Sequence, residues 1–147
     1  MNTLVLYFSA SGVTERTAQK LAKNLGADLQ EIVPAKRYTQ AELNWRDGNS
    51  RSSLEMKDIS SRPAIVGKYD VEKYDRICIG FPIWWYTAPR IIQTFIESVD
   101  LTDKEIVLFA TSGGSGISKT VEEMRNTYPG LNFVSAKLMN SDSDITL

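Results

Sequence analysis

Three short segments of the chain carry residue types suited to holding a small ligand. The first is Ser9-Ala10-Ser11-Gly12-Val13-Thr14, with three hydroxyls, a glycine and no cation. At the start of a helix such a loop offers a phosphate free backbone N–H groups and the positive end of the helix dipole. Gly12 would let the backbone approach closely. The segment lacks the lysine that the nucleotide-binding pattern G-x-x-x-x-G-K-[ST] depends on. Taken alone it reads equally well as a Ser-rich turn that caps a helix, because Ser and Thr are favoured N-caps.

The second segment, Pro82-Ile83-Trp84-Trp85-Tyr86, places three aromatic residues in a row and runs on through Thr87 and Ala88 to Pro89. Aromatic faces stack on planar rings, and their stiffness keeps the ordering cost low. Adjacent side chains rarely point the same way, so one of the two Trp residues is expected to pack beneath the loop. The third segment follows Thr111 and reads Ser112-Gly113-Gly114-Ser115-Gly116. Its N–H groups suit the polar edge of a planar ligand, although Gly-rich turns between strand and helix are common.

Composition removes other chemistries. The 147 residues include no His and a single Cys, Cys78. Ser-His-Asp and Cys-His catalysis, disulfide frameworks and zinc-finger spacings are therefore absent within the chain. Cys78 lies between Ile77 and Ile79 and reads as a buried core thiol rather than a nucleophile. Seventeen basic and 18 acidic residues give a formal net charge of −1, with no basic block for nucleic acid and no polybasic stretch for a membrane surface. No apolar run approaches the roughly 20 residues that span a bilayer. The N-terminus enters a strand-like run with no leader pattern, so a cytoplasmic location is expected. Such a chain suits a cofactor that brings its own chemistry.

The elements that must position the three segments follow from periodicity. Leu4-Val5-Leu6-Tyr7-Phe8 is a continuous apolar run, as in a strand buried on both faces. Ala18, Leu21, Ala22 and Leu25 form one helical face, with Gly26 as its C-cap. Asp28 to Val33 reads as a second strand closed by Pro34. Ile77 to Phe81 is the third, followed by a helix from Pro89 to Val99. Ile106 to Ala110 is the fourth, followed by a helix carrying Ile117, Val121, Met124 and Tyr128. Leu131 to Leu138 is the fifth. This alternation predicts one α/β domain over residues 1–147, a doubly wound five-stranded parallel sheet of order 2-1-3-4-5. Ligands of such sheets bind at the strands' carboxyl ends, where all three segments lie.

Two regions fit this pattern less simply. Ala35 to Lys73 is long for one crossover. A short helix is expected near Arg51 to Asp58, and Trp45 and Arg46 belong either to a lid or to a solvated connection. After the fifth strand, Asn140-Ser141-Asp142-Ser143-Asp144 resembles the N-cap of a further helix, but that final helix is missing. The expected result is an apolar patch, left by truncation or covered by a partner chain or an unusual edge.

In combination, S-A-S-G-V-T after the first strand, F-P-I-W-W after the third and T-S-G-G-S-G after the fourth resemble the flavodoxin family. The likeness is to a bacterial branch with a P-I-W-W loop, and Tyr38 to Asp47 and Arg62 to Ile65 share it. It runs from Thr3 to Asn140. The resemblance implies a flavodoxin-like fold, non-covalently bound FMN and electron transfer. Ser9, Ser11, Gly12, Val13 and Thr14, with Ala10 between them, would hold the phosphate. Pro82, Ile83, Trp84, Trp85 and Tyr86 would lie along the ring, and Ser112, Gly113, Gly114, Ser115 and Gly116 would border its other side.

The implied partners are a redox protein or a small oxidisable substrate, with a dimer as one possible assembly. An FMN-dependent NAD(P)H:quinone or nitro-compound reductase and a non-redox binding module are the competing readings. The chain departs from the resembled family in two further ways. Trp85-Tyr86-Thr87-Ala88 stands where well-studied members have a glycine whose peptide flips toward the half-reduced flavin. The net charge also lacks the strong acidity that steers family carriers to basic partners.

Overall fold

The computed structural model describes residues 1–147. Its frame is a five-stranded parallel sheet built from β1 (Thr3–Tyr7), β2 (Asp28–Glu31), β5 (Arg76–Pro82), β6 (Glu105–Thr111) and β7 (Asn132–Leu138), in the order β2-β1-β5-β6-β7. The remaining two strands, β3 (Val33–Pro34) and β4 (Ile65–Val66), form a separate antiparallel pair. Counting only the main sheet, this is the 2-1-3-4-5 order expected from the sequence. The second strand is shorter than predicted. Pairing with β1 ends at Glu31, and Val33 and Pro34 leave to meet β4.

Alternation along the strands sorts the core into two layers. Leu4, Leu6, Phe8, Ile77, Ile79, Phe81, Ile106, Leu108 and Ala110 face one side. There they meet Ile91, Ile92, Phe95 and Ile96 of α3 (Arg90–Ser98) and Met124 of α4 (Ser118–Thr127). Val5, Tyr7, Cys78, Val107 and Phe109 face the other side, against Ala18, Leu21 and Ala22 of α1 (Val13–Leu25). The helices begin and end where the sequence directs. Gly26 takes the left-handed conformation at φ 61° and returns its N–H to the last turn of α1. Ser50 caps α2 (Arg51–Lys57) by accepting from the Ser53 N–H at 3.3 Å.

Part of the area expected to form an apolar patch is covered by the terminal stretch itself. Residues Asp142–Asp144 form one 3-10 turn, closed by a reciprocal capping box between Ser141 and Asp144. It seats Ile145 beside Met139 in the α1-side core. The Asn24 amide holds the Ile145 carbonyl at 2.9 Å, and Lys20 pairs with Asp142 at 2.6 Å. On the same face of β7 the residues in register with Val107 and Phe109 are Ser135 and Lys137. At these two positions the uncovered strand carries polar side chains, while Val134 at the bulge is exposed. A bulge at Ile106/Val107 shifts the inward and outward positions of β7.

Candidate functional site

The parallel frame delivers three chain turns to one end of the sheet, after β1, β5 and β6. The backbone ties them together. Phe8 N–H donates to the Gly80 carbonyl at 3.0 Å, and Ile83 N–H donates to the Thr111 carbonyl at 2.9 Å. The Thr14 and Thr111 hydroxyls meet at 2.8 Å in a buried contact that links the first turn to the third. The sequence-predicted segments are thus brought together, each in the position that strand order requires.

In the first turn, Gly12 is the N-cap of α1 at φ 93° and ψ −9°. That left-handed conformation favours glycine. Ser9 Oγ accepts the Gly12 N–H at 3.0 Å and braces the turn. The N–H groups of Ser11, Val13 and Thr14 donate to no group of the protein. They are the orphan donors of a helix start, available to an outside acceptor. Ser11 is exposed, Ala10 packs against the core and Val13 faces solvent. Thr14 is buried and its hydroxyl is engaged with Thr111, so it positions the turn rather than facing out. A cation missing from the loop itself stands next to it. Arg16 Nη1 lies 3.7 Å from the point a Gly12 Cβ would occupy. The i, i+4 spacing from the N-cap is the signal that could have found it.

The second turn divides its aromatics as expected. Trp84 is half-buried and packs edge-on against Phe8 at 5.8 Å and Tyr38 at 5.5 Å between ring centroids. Trp85 and Tyr86 are exposed. Trp84 and Thr87 exchange both backbone hydrogen bonds, at 2.9 and 3.1 Å, around a two-residue tip with φ 47° at Trp85 and φ 68° at Tyr86. Positive φ at both central residues marks a type I′ turn, which normally takes Asn or Gly. Pro82 and Ile83 are partly buried at its base.

In the third turn, Ser112 accepts the N–H groups of Gly114 at 3.1 Å and Ser115 at 2.7 Å, and its own N–H reaches Asn140 Oδ1 at 2.8 Å. Open space surrounds Gly113, Gly114 and Gly116. Asn140 is a structural member of the site that no local motif marked.

The long segment after β3 reaches the site through Tyr38 rather than through Trp45. Trp45 is 64% exposed and stacks only with Arg46, at 5.1 Å. Tyr38 instead closes the aromatic trio. The Arg51 guanidinium lies over its ring at 3.8 Å, and its hydroxyl donates to Glu55. Burial, together with the Glu55 carboxylate, raises the Tyr38 pKa far above the normal phenol range. It therefore stays neutral, as a donor. Arg51 Nε completes the set by donating to Glu55 at 3.0 Å. Arg51 and Glu55 share a face of α2 at i, i+4, a spacing that the sequence did show but that did not reveal the tyrosine.

Cys78 sits mid-sheet and fully buried, and burial pushes its thiol up to about 12. It takes no part in the site.

Comparison with known proteins agrees with this fold. The model of the Flavodoxin family matches residues 2–146. A flavodoxin from Haemophilus influenzae is 26% identical over 109 residues, covering 71% of this chain, which spans about half (47%) of that protein's length. The structure of a candidate flavoprotein from Bacteroides uniformis superposes with a TM-score of 0.95 at 50% identity, over 98% of this chain and 94% of that one. A flavoprotein in complex with FMN from Lactobacillus acidophilus superposes with a TM-score of 0.76 at 26% identity, over 93% of this chain and 92% of that one.

Proposed function

We propose, from the premise that this chain belongs to the flavodoxin family, that it binds FMN at the three joined turns and transfers electrons through it. The observation that carries the reading is the first turn. A left-handed Gly12 at a helix start exposes N–H groups with no protein acceptor and has the Arg16 guanidinium beside it. A phosphate dianion satisfies those donors and is favoured by the helix dipole. The FMN-bound relative from Lactobacillus acidophilus supports the choice of ligand.

The residues fit the group as follows. Ser9 to Thr14 would receive the phosphate, with Ser9 and Thr14 shaping the turn through their own hydrogen bonds. Trp85 and Tyr86, exposed on the type I′ tip, would lie along the ring, while Trp84 holds the tip against the body. Gly113, Gly114 and Gly116 would leave room at the ring's far border. Bound flavin supplies the redox chemistry. The protein's part is to orient the ring, to set its surroundings and to keep water from one face.

The test mixes FMN-loaded protein with NADH or NADPH and a quinone, with and without an added flavodoxin reductase. A carrier takes electrons only when the reductase is present. Sustained NAD(P)H oxidation without it overturns the carrier role in favour of a reductase. Failure of FMN to bind overturns both.

A further inference from the structure

Beside the aromatic tip lies a second cleft, of about 250 Å³, between α2 and α4. Met56 and Lys57 come from one side, Lys119 and Glu123 from the other. Trp85 and Arg90 line it from the tip and from the start of α3. None of Met56, Lys57, Arg90, Lys119 or Glu123 belongs to the three turns described above.

Among the lining residues, three cations stand with one carboxylate, and that carboxylate is already used. The nearby Asp58 carboxylate also attracts Arg90, but it is held by the Ser60 N–H and hydroxyl. Glu123 Oε1 accepts from Arg90 Nη1 at 3.0 Å, and its Oε2 accepts from the Thr87 hydroxyl at 3.1 Å. Arg90 is 6% exposed, and its Nη2 is held by the Met56 carbonyl at 3.0 Å. Its Nε–H is buried with no acceptor. Lys57 donates only to the Gly48 carbonyl, at 2.9 Å. Lys119 is exposed and makes no ion pair or hydrogen bond. A buried, incompletely paired guanidinium is costly unless more negative charge comes near. The walls contributed by Met56 and Trp85 are apolar and aromatic.

We propose that this cleft is a ligand site for a small planar organic anion, whose ring packs beside Trp85 and whose carboxylate faces Lys119 and Lys57. Its volume lies just below the roughly 300–1,000 Å³ of sites for drug-sized molecules, so the ligand is about one or two rings in size. The cleft shares Trp85 and Thr87 with the aromatic tip and takes its other walls from α2, α3 and α4, so an occupant lies next to the ring that the proposed function places at that tip. A small oxidisable or reducible acid bound there would be positioned as a substrate or an effector of that tip.

Benzoate serves as the probe, with uncharged benzamide as its control. Each is titrated calorimetrically into the protein with and without FMN, with Trp fluorescence followed in parallel. Saturable benzoate binding at millimolar concentration is expected, with benzamide clearly weaker and with salt reducing the benzoate affinity. Lys119→Glu, which removes no contact within the fold, should weaken benzoate about tenfold by replacing attraction with repulsion. Lys119→Ala should weaken it by a smaller factor, and serves if the charge reversal perturbs folding. No saturable benzoate binding overturns the proposal. So does binding that is indifferent to both Lys119 substitutions, or that FMN abolishes competitively, which would place the anion within the flavin's own site. Because the FMN-free arm needs no flavin, a failure of FMN binding is read separately.

Discussion

The hydroxyls of Thr14 and Thr111 meet at 2.8 Å across 97 residues of sequence, and both side chains are buried. This one hydrogen bond fixes the start of α1 against the end of β6. The turn after β1 and the Gly-rich turn are thereby held as one surface. Replacing either residue with Val leaves the partner hydroxyl buried without its mate, at a cost of about 1–3 kcal/mol. Replacing both removes the orphan. The double variant should therefore lose less stability than the sum of the singles in chemical denaturation. Strict additivity would show that the two hydroxyls do not depend on one another.

The aromatic tip carries backbone strain. Trp85 and Tyr86 adopt φ 47° and φ 68°, a region that costs non-glycine residues about 1–3 kcal/mol when held there. Tyr86→Gly should therefore raise the thermal stability of the FMN-free protein, by an amount on the order of 1 kcal/mol. The same change should weaken FMN by removing an aromatic face. Lower stability in the FMN-free state would mean that contacts of the Tyr86 ring, rather than strain, dominate.

Gly80 lies where β5 approaches β6, and Phe109 fills the space above it. A Cβ on Gly80 would fall 2.1 Å from Phe109 Cζ. Gly80→Ala should cost about 1–3 kcal/mol through overpacking. Adding Phe109→Leu to that variant should recover part of the loss. If Gly80→Ala is neutral by itself, the ring has another place to go.

Cys78 gives a pH prediction whose sign follows from burial. Its folded-state pKa is raised from 9.0 to about 12. Below about pH 9 the thiol is neutral in both states and its contribution is fully present. As pH rises toward about 12 the unfolded chain releases the proton first, so unfolding is favoured and that contribution is lost. Denaturant midpoints should fall more steeply over this window in the parent protein than in Cys78→Ala. Alkylation by iodoacetamide at pH 8–9 should require denaturant. Rapid labelling of the native protein would show that the strand opens more readily than its burial implies.

Much of this arrangement was legible in the residues. Leu4 to Phe8, Ile77 to Phe81 and Ile106 to Ala110 are runs suited to strands buried on both faces, and their alternation with helix-period segments pointed to the doubly wound order and to the meeting point of the three turns. The division between Trp84 and Trp85 followed from their adjacency. What escaped was tertiary. Tyr38 enters the site from a segment with no period of its own, Asn140 braces a turn 28 residues away, and Arg16 lies one helical turn from Gly12, two residues past the motif. The terminal stretch carried a cap signal but gave no sign that Ile145 would return to the core. Ser135 and Lys137 face that side because a bulge resets the alternation, and strand patterning does not reveal bulges.

The central claim is that Ser9 to Thr14 hold the phosphate of FMN, and comparing FMN with riboflavin tests it most directly. Affinities of both are measured by flavin and Trp fluorescence for the parent protein and for Gly12→Leu, with thermal unfolding as a check on the fold. The parent should bind FMN more tightly than riboflavin by tenfold or more, since a hydrogen bond to a charged group contributes about 1.5–3 kcal/mol. Gly12→Leu should erase most of that difference while leaving riboflavin nearly unchanged. Equal affinities in the parent, or equal losses for the two flavins in the variant, would contradict the assignment.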